Sequence, residues 1–370
     1  MKNMDELYYQ QKIFRFRPLF ITRRSFFPLL ILMIVNISAV FMPLNGQGLY
    51  PPEIAKWIES GVIRTIQNDF SGAESTFQKL IDELPAEPCG YFYLGATVQA
   101  EMLDREDFSR LAEFKAAMDT TIDLAKSMRK KDPANLRGWF FEGSAYLYRS
   151  FMDNKRKKMW GAYRNASKGV NRLEKALALD TTFYDAYLGV GSYKYWKSSK
   201  AKALAWLPFV ADDREKGVRM VHKAIEKGQF VRLVAGDQLA WMLLDFGRAD
   251  EALTLAERNH RQFPNSRFFM WTLVEIYLKN QQFEQALQLY KELLTILRKQ
   301  PFNNHYNEMN CLLHIAEIYY EQGDFLEAEQ HLNELLQLEL SEEISKRSKS
   351  KRKRAATLRK RCIKELARVD

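Results

Sequence analysis

The chain has 370 residues, of which 46% are apolar and 28% are charged, so it can bury a sizeable core. It has only 17 glycines and 11 prolines, and the dominance of Ala, Leu, Glu, Lys and Gln favours helix. The net charge of +10 divides into +4 in residues 1–50, +8 in residues 341–370 and −2 between them. The basic charge therefore belongs to the ends, and we expect no nucleic acid to bind the body of the protein.

The first 48 residues are predicted to be an export signal or a membrane anchor. A basic stretch precedes an apolar run from Phe26 to Leu44, and Gly46 and Gly48 suit the small-residue positions of a cleavage site. The run is also just long enough to span a bilayer. A cleaved signal and a retained anchor both leave the arginines inside and place the rest of the chain outside the cytoplasm. Residues Thr22–Phe27 also resemble the twin-arginine export motif, although ordinary flanking charge explains them as well.

A fixed repeat follows this segment. Gly95, Gly143 and Gly191 are spaced by 48 residues, and each lies in an aromatic or apolar stretch. A constant period of 20–50 residues is typical of stacked helical repeats. The first unit contains Trp57, Gly61, Ala73 and Phe77 and ends at Pro85, within about 34 residues. Small residues at the helix crossings and Pro at the end of the second helix explain this pattern.

These residue types and spacings resemble the tetratricopeptide repeat. The resemblance covers about residues 55–340 and implies an all-α solenoid of about seven helix-turn-helix units. The second to fourth units have 48 residues, which we interpret as about two extra turns in each helix. Pro208 is predicted to break a helix in the fourth unit, and Asp212 or Asp213 to cap the next. Asn68–Gly72 is predicted to be the turn inside the first unit.

Residues 341–370 are predicted to form a basic C-terminal capping helix or tail. Ala355, Leu358, Cys362 and Leu366 fall at helical spacing, as expected for a helix that covers the last unit. The basic run Lys351–Arg354 is explained either by the solvated face of this helix or by contact with an anionic surface.

The sequence shows no pattern typical of catalysis or of cofactor and metal binding. None of its five histidines has metal-ligand spacing, and it has neither a phosphate-binding glycine loop nor a Gly-x-Ser-x-Gly motif. The three cysteines are far apart and are interpreted as buried apolar residues or as part of the terminal helix. We therefore predict that the protein is not an enzyme and has no cofactor.

The inner face of the array is the predicted partner site. In this repeat class the first helix of each unit lines the concave face. The residues predicted to lie there in the last three units are Trp241, Asp245, Trp271, Glu275, Glu317 and Tyr320. Aromatic and acidic side chains suit a protein or peptide ligand with an apolar or basic segment. Packing of these aromatics against neighbouring units is the alternative explanation.

The sequence thus predicts an exported or membrane-anchored scaffold for protein interactions, periplasmic or in the cell envelope if the source is bacterial. One alternative is an accessory factor for envelope assembly or transport, anchored in the inner membrane with its array in the periplasm. A less favoured alternative is an enzyme that uses the array as a platform.

Overall fold

A computed structural model describes residues 49–201 and 211–368, which form fifteen α-helices and no strand. The helices are α1 (Pro52–Ile66), α2 (Phe70–Glu83), α3 (Pro88–Arg105), α4 (Leu111–Lys131), α5 (Leu136–Lys155), α6 (Met159–Leu179), α7 (Asp185–Ala201), α8 (Arg214–Lys227), α9 (Arg232–Phe246), α10 (Ala249–Gln262), α11 (Arg267–Lys279), α12 (Phe283–Arg298), α13 (Tyr306–Gln322), α14 (Phe325–Gln337) and α15 (Glu342–Leu366). The protein is an all-α, tetratricopeptide-like solenoid, as predicted.

Each helix packs mainly on its neighbours in the chain, which makes seven successive helical hairpins followed by α15. The first helices of most adjacent units also touch each other, as α7 touches α9 and α9 touches α11. The second helices show no comparable mutual packing within the described residues. The first helices therefore lie on the inner side of the curve, and the second helices lie outside.

The first hairpin shows how the sequence specifies the turn. Asn68 adopts a left-handed backbone (φ 64°), and the Asp69 carboxylate accepts a hydrogen bond from Gly72 N at 3.1 Å, capping α2. Because α2 begins at Phe70, the turn is shorter than the predicted Asn68–Gly72. A β-carbon on Gly61 would lie 2.3 Å from the Phe77 ring, so only glycine fits where the two helices cross.

A pair of glycines forms the helix crossing in the third unit, and the same pair recurs in the fourth. A β-carbon on Gly143 would lie 2.9 Å from the Gly169 carbonyl oxygen, and one on Gly169 would lie 2.8 Å from the Gly143 carbonyl oxygen. Gly191 and Gly217 repeat this reciprocal contact at 2.9 and 2.6 Å. The two backbones touch directly at both crossings, so the 48-residue spacing in the sequence corresponds to a repeated contact in the fold.

Three helices of the middle units are long, but the predicted two extra turns in each helix are not found in α8, which has 14 residues. Helices α4, α5 and α6 have 21, 20 and 21 residues, whereas α9, α10 and α11 have 15, 14 and 13. Asp213 is the N-cap residue of α8 but makes no side-chain capping bond, and Asp212 accepts from Arg214 N at 3.0 Å instead. The predicted break at Pro208 lies outside the described residues.

Helix α15 occupies the place of the first helix of a further unit. It packs against α14 and α13, and it buries Ile344, Ala355 and Cys362. Arg352 donates to the carbonyl of Leu336 at 2.7 Å, at the end of α14. Arg354 Nε lies 2.5 Å from Glu317 Oε1 on α13. Part of the basic run Lys351–Arg354 is therefore engaged in packing this helix onto the array.

The far end of the array returns to its beginning, in what we call the closure contact. It joins residues 62, 63, 66, 68 and 104–108 to residues 263–269, 302–307 and Arg347. The Arg267 guanidinium makes two hydrogen bonds to the Asp104 carboxylate, at 2.8 and 2.6 Å, with each side chain only 9% exposed. Ser266 Oγ donates to the Ile66 carbonyl at 2.5 Å, and Asn307 Nδ2 to the Asp104 carbonyl at 2.7 Å. These contacts link the first two units to the last two and to α15.

The predicted export segment, residues 1–48, lies outside the described residues. No helix in residues 49–201 or 211–368 is long and apolar enough to cross a membrane.

Candidate functional site

The six predicted partner-binding residues lie on three first helices, which places them on the inner side of the array. Helix α9 carries Trp241 and Asp245, α11 carries Trp271 and Glu275, and α13 carries Glu317 and Tyr320. The members of each pair are three or four positions apart, so they lie on one helix face. All six side chains are half-buried.

Trp241 is held in a defined orientation by the neighbouring unit. Its indole N–H donates to Thr272 Oγ1 at 3.0 Å, and the Thr272 hydroxyl donates to Asp237 Oδ1 at 2.5 Å. Asp237 lies one helical turn before Trp241, and burial raises the pKa of its carboxyl group to about 7. A ring whose polar edge is already bonded loses little freedom when a ligand covers its face. Trp241 is therefore a preorganised aromatic contact.

Trp271 and Tyr320 are placed differently. Both pack against the apolar core of the C-terminal half, and the Tyr320 ring meets the Phe325 ring edge-on at 5.3 Å. Trp271 also lies one helical turn after Arg267, on the same face of α11, and Arg267 belongs to the closure contact. The closure contact therefore sets the position of the helix that carries Trp271 and Glu275.

The three acidic residues differ in how their charge is used. Asp245 accepts hydrogen bonds from Tyr195 and Ser199 at 2.7 and 2.6 Å, and Glu275 accepts one from Tyr290 at 3.2 Å. A neutral hydroxyl leaves the charge of a carboxylate in place. Glu317 instead pairs with Arg354, which neutralises it. Asp245 also interacts electrostatically with Lys200 and Arg214, which offset part of its charge. Of the three acids, Glu275, hydrogen-bonded to a neutral hydroxyl, therefore offers the negative charge that is offset least.

The polar residues behind Trp241 were missed by the sequence-based prediction. Asp237 and Thr272 fix the orientation of Trp241, and Tyr195 donates a hydrogen bond to Asp245. Asp237 was detectable in principle, because it is an acid within the apolar run of α9, four positions before a tryptophan. Thr272 and Tyr195 give no such signal, because their role depends on contacts between units.

The described parts of the chain offer little for metal or thiol chemistry. No group of three or more His, Cys, Asp or Glu side chains in residues 49–201 and 211–368 could hold a metal ion. Cys89, Cys311 and Cys362 are buried and form no disulfide, and burial raises the pKa of the Cys89 thiol to about 11. A buried thiol with a raised pKa is a poor nucleophile at neutral pH.

Sequence comparison identifies the repeat in the C-terminal half. Residues 234–258 and residues 267–338 each match a model of the tetratricopeptide repeat. These two stretches carry all six predicted partner-binding residues. Comparison with curated protein sequences finds no match.

Comparison with solved structures finds similarity to several helical-repeat and other proteins, among them two tetratricopeptide proteins and Tom70. A tetratricopeptide protein of Thermus thermophilus is 16% identical, with 61% of this chain and 99% of that chain covered and a TM-score of 0.39. A tetratricopeptide repeat protein from Parabacteroides merdae is 14% identical, with 83% and 100% covered and a TM-score of 0.39. Yeast Tom70 is 14% identical, with 85% and 65% covered and a TM-score of 0.37.

Proposed function

We propose that this protein is a non-catalytic scaffold that binds a protein segment on the inner face of its C-terminal tetratricopeptide repeats. The half-buried, hydrogen-bonded Trp241 is the observation that carries this proposal. Aromatic anchors with fixed orientation contribute a large part of binding energy at protein interfaces. The helical repeat supplies the curved surface on which such anchors are displayed.

The charge around Trp241 indicates the chemistry of the ligand. Asp245 lies one turn beyond it, with part of its charge offset by Lys200 and Arg214, and Glu275 is on the neighbouring first helix. A segment with an apolar side chain next to a lysine or arginine would place the apolar group on the indole and the cation near these carboxylates. We therefore propose a mixed apolar and basic peptide as the ligand class.

A peptide selection with matched variants tests this proposal. A displayed library of random peptides is selected on the full chain, and the affinity of the selected peptides is then measured by fluorescence anisotropy. Trp241→Ala should weaken binding about thirty-fold, which corresponds to about 2 kcal/mol at an interface anchor. The control is Trp160→Ala, because Trp160 is more exposed and lies on α6, away from the inner face. Peptides that bind the Trp241 variant as tightly as the natural chain would contradict the proposal.

We also propose that the array acts outside the cytoplasm, as an exported or membrane-anchored protein. The support is the pattern of residues 1–48, with a basic start, an apolar run and small residues. Alkaline phosphatase fused after residue 48 should be active in a Gram-negative host, and N-terminal sequencing of the mature chain would tell cleavage from retention. A fusion without activity would exclude export. An assembly or transport role in the envelope is the narrower form of this proposal.

A further inference from the structure

The most exposed tryptophan among the described residues lies at the start of α6, the second helix of the third unit, just after the turn from α5. Trp160 is 67% exposed, and Phe151 in the same hairpin is 42% exposed. They lie at the same end of the hairpin, because Ser150 Oγ donates to the Ala162 carbonyl at 2.7 Å. The Trp160 ring lies 6.0 Å from the Tyr163 ring, yet most of its surface stays in water, which is costly for so large an apolar group.

The same turn concentrates positive charge. Residues 149–168 contain seven Lys or Arg and a single acid, Asp153, whose carboxylate accepts a hydrogen bond from Asn165 at 2.9 Å. Arg156, Lys158 and Arg164 are exposed. Lys158 is the N-cap residue of α6, and the first turn of that helix has no acid. The Asp153 carboxylate lies beside this first turn, where a β-carbon on Gly161 would be 2.7 Å from it, so one acid faces the surrounding cations.

A solvated charged face would explain the lysines and arginines alone, and an interface with a folded protein would favour a pocket around the aromatic anchor. Neither accounts for two exposed aromatic side chains that flank this turn among several cations. Tryptophan and phenylalanine flanked by Lys and Arg suit the headgroup region of a bilayer, where the ring meets the acyl boundary and the cations meet phosphate.

We propose that the turn patch, defined as Phe151, Arg156, Lys158, Trp160 and Arg164, docks the array onto an anionic lipid bilayer. Trp160 and Phe151 enter the headgroup region, and the three basic side chains contact lipid phosphates. The patch lies in the third unit and the proposed peptide site in the fifth to seventh, so the protein would hold its peptide ligand while resting on a membrane. This inference does not depend on the proposed peptide site.

The closure contact brings a second basic segment toward this patch. Glu106 accepts a hydrogen bond from Lys155 at 2.7 Å, at the end of α5, and it also pairs with Arg347 near the start of α15. Lys346 and Lys349, which flank Arg347, are exposed. Two basic segments almost two hundred residues apart in the chain thus meet at one carboxylate, although Glu342 and Glu343 also pair with Lys346 and Arg347.

Quenching of Trp160 by brominated lipid is a direct test on the full chain. Vesicles of two parts phosphatidylcholine to one part phosphatidylglycerol carry the bromine, and the signal of Trp160 is the difference between the natural chain and Trp160→Phe. The first 48 residues contain no tryptophan, so insertion of that segment alone does not generate the signal. We expect quenching with the anionic vesicles and much less with phosphatidylcholine alone.

A charge-matched pair of variants then locates the contact. Each Lys or Arg near an anionic surface contributes roughly five-fold to affinity, so Arg156→Gln with Lys158→Gln should raise the lipid concentration for half-maximal quenching roughly twenty-fold. Lys360→Gln with Arg361→Gln removes the same charge from exposed positions on α15 and should change it less than about three-fold. Absence of Trp160 quenching overturns the proposal. This is the result expected if the patch binds a soluble acidic protein instead of lipid. An equal or larger effect of the α15 variant overturns it as well, in favour of the C-terminal basic segment.

Discussion

Breaking the ion pair between Arg267 and Asp104 should open the array. The pair is bidentate, with bonds of 2.8 and 2.6 Å, and both side chains are 9% exposed. Removing one member of such a buried pair leaves an uncompensated charge and typically costs about 3–5 kcal/mol. Arg267→Met and Asp104→Leu should therefore each destabilise the closure contact by about that amount. The double variant should cost clearly less than the sum, because it leaves no lone charge.

The chain contains a matched control for this perturbation. Arg64 and Asp69 form an ion pair of 2.7 Å, but their side chains are 46% and 45% exposed. Exposed pairs contribute about 0–1 kcal/mol because water screens them, so Arg64→Met should have a small effect. The two pairs differ in burial, and the Arg64 pair is also local, five residues apart, so it does not join distant units.

Local readouts are needed because long repeat arrays often unfold in parts. Hydrogen exchange should show faster exchange of the Arg267 amide, whose partner is Asn68 Oδ1 at 2.9 Å. Small-angle scattering should show a larger radius of gyration in Arg267→Met. If Arg267→Met costs no more than Arg64→Met and leaves exchange at Arg267 unchanged, the closure contact does not hold the array together.

Two further variants probe the interior. Burial raises the pKa of Asp237 from 3.8 to about 7, so its contribution to stability is greatest at low pH and is lost as pH rises through about 4–7. The decline is worth up to about 4 kcal/mol of unfolding free energy. Asp237→Asn can still accept a hydrogen bond from Thr272 and should flatten this decline when urea unfolding is measured at a series of pH values. An unchanged dependence of the unfolding free energy on pH would show that Asp237 is not its source. Gly143→Leu should cost about 1–3 kcal/mol or more, because a β-carbon there would lie 2.8 Å from the Leu173 side chain. Ser167→Leu, at an exposed position of α6, should stay within about 0.5 kcal/mol, and equal urea midpoints for the two would mean that the crossing is misplaced.

The periodicity of the sequence was sufficient to predict the architecture. The spacing of Gly95, Gly143 and Gly191 predicts the repeat because each small residue serves a crossing between two helices adjacent in the chain. The same reasoning places Trp241 and Trp271 on first helices, because the position of a residue within its unit determines its side of the curve. The prediction of an all-α solenoid is confirmed for this reason. Binding of a partner on the inner face stays a prediction.

Contacts between distant units could not be derived in this way. Small rotations between successive units add up along a solenoid, and their sum determines whether the two ends meet. Only the folded structure therefore shows that Arg267 reaches Asp104, that Glu317 is neutralised by Arg354, and that Glu106 joins Lys155 to the start of α15. Periodicity describes each unit and its neighbour, whereas the closure contact and the charge left on the inner face depend on the geometry of the whole array.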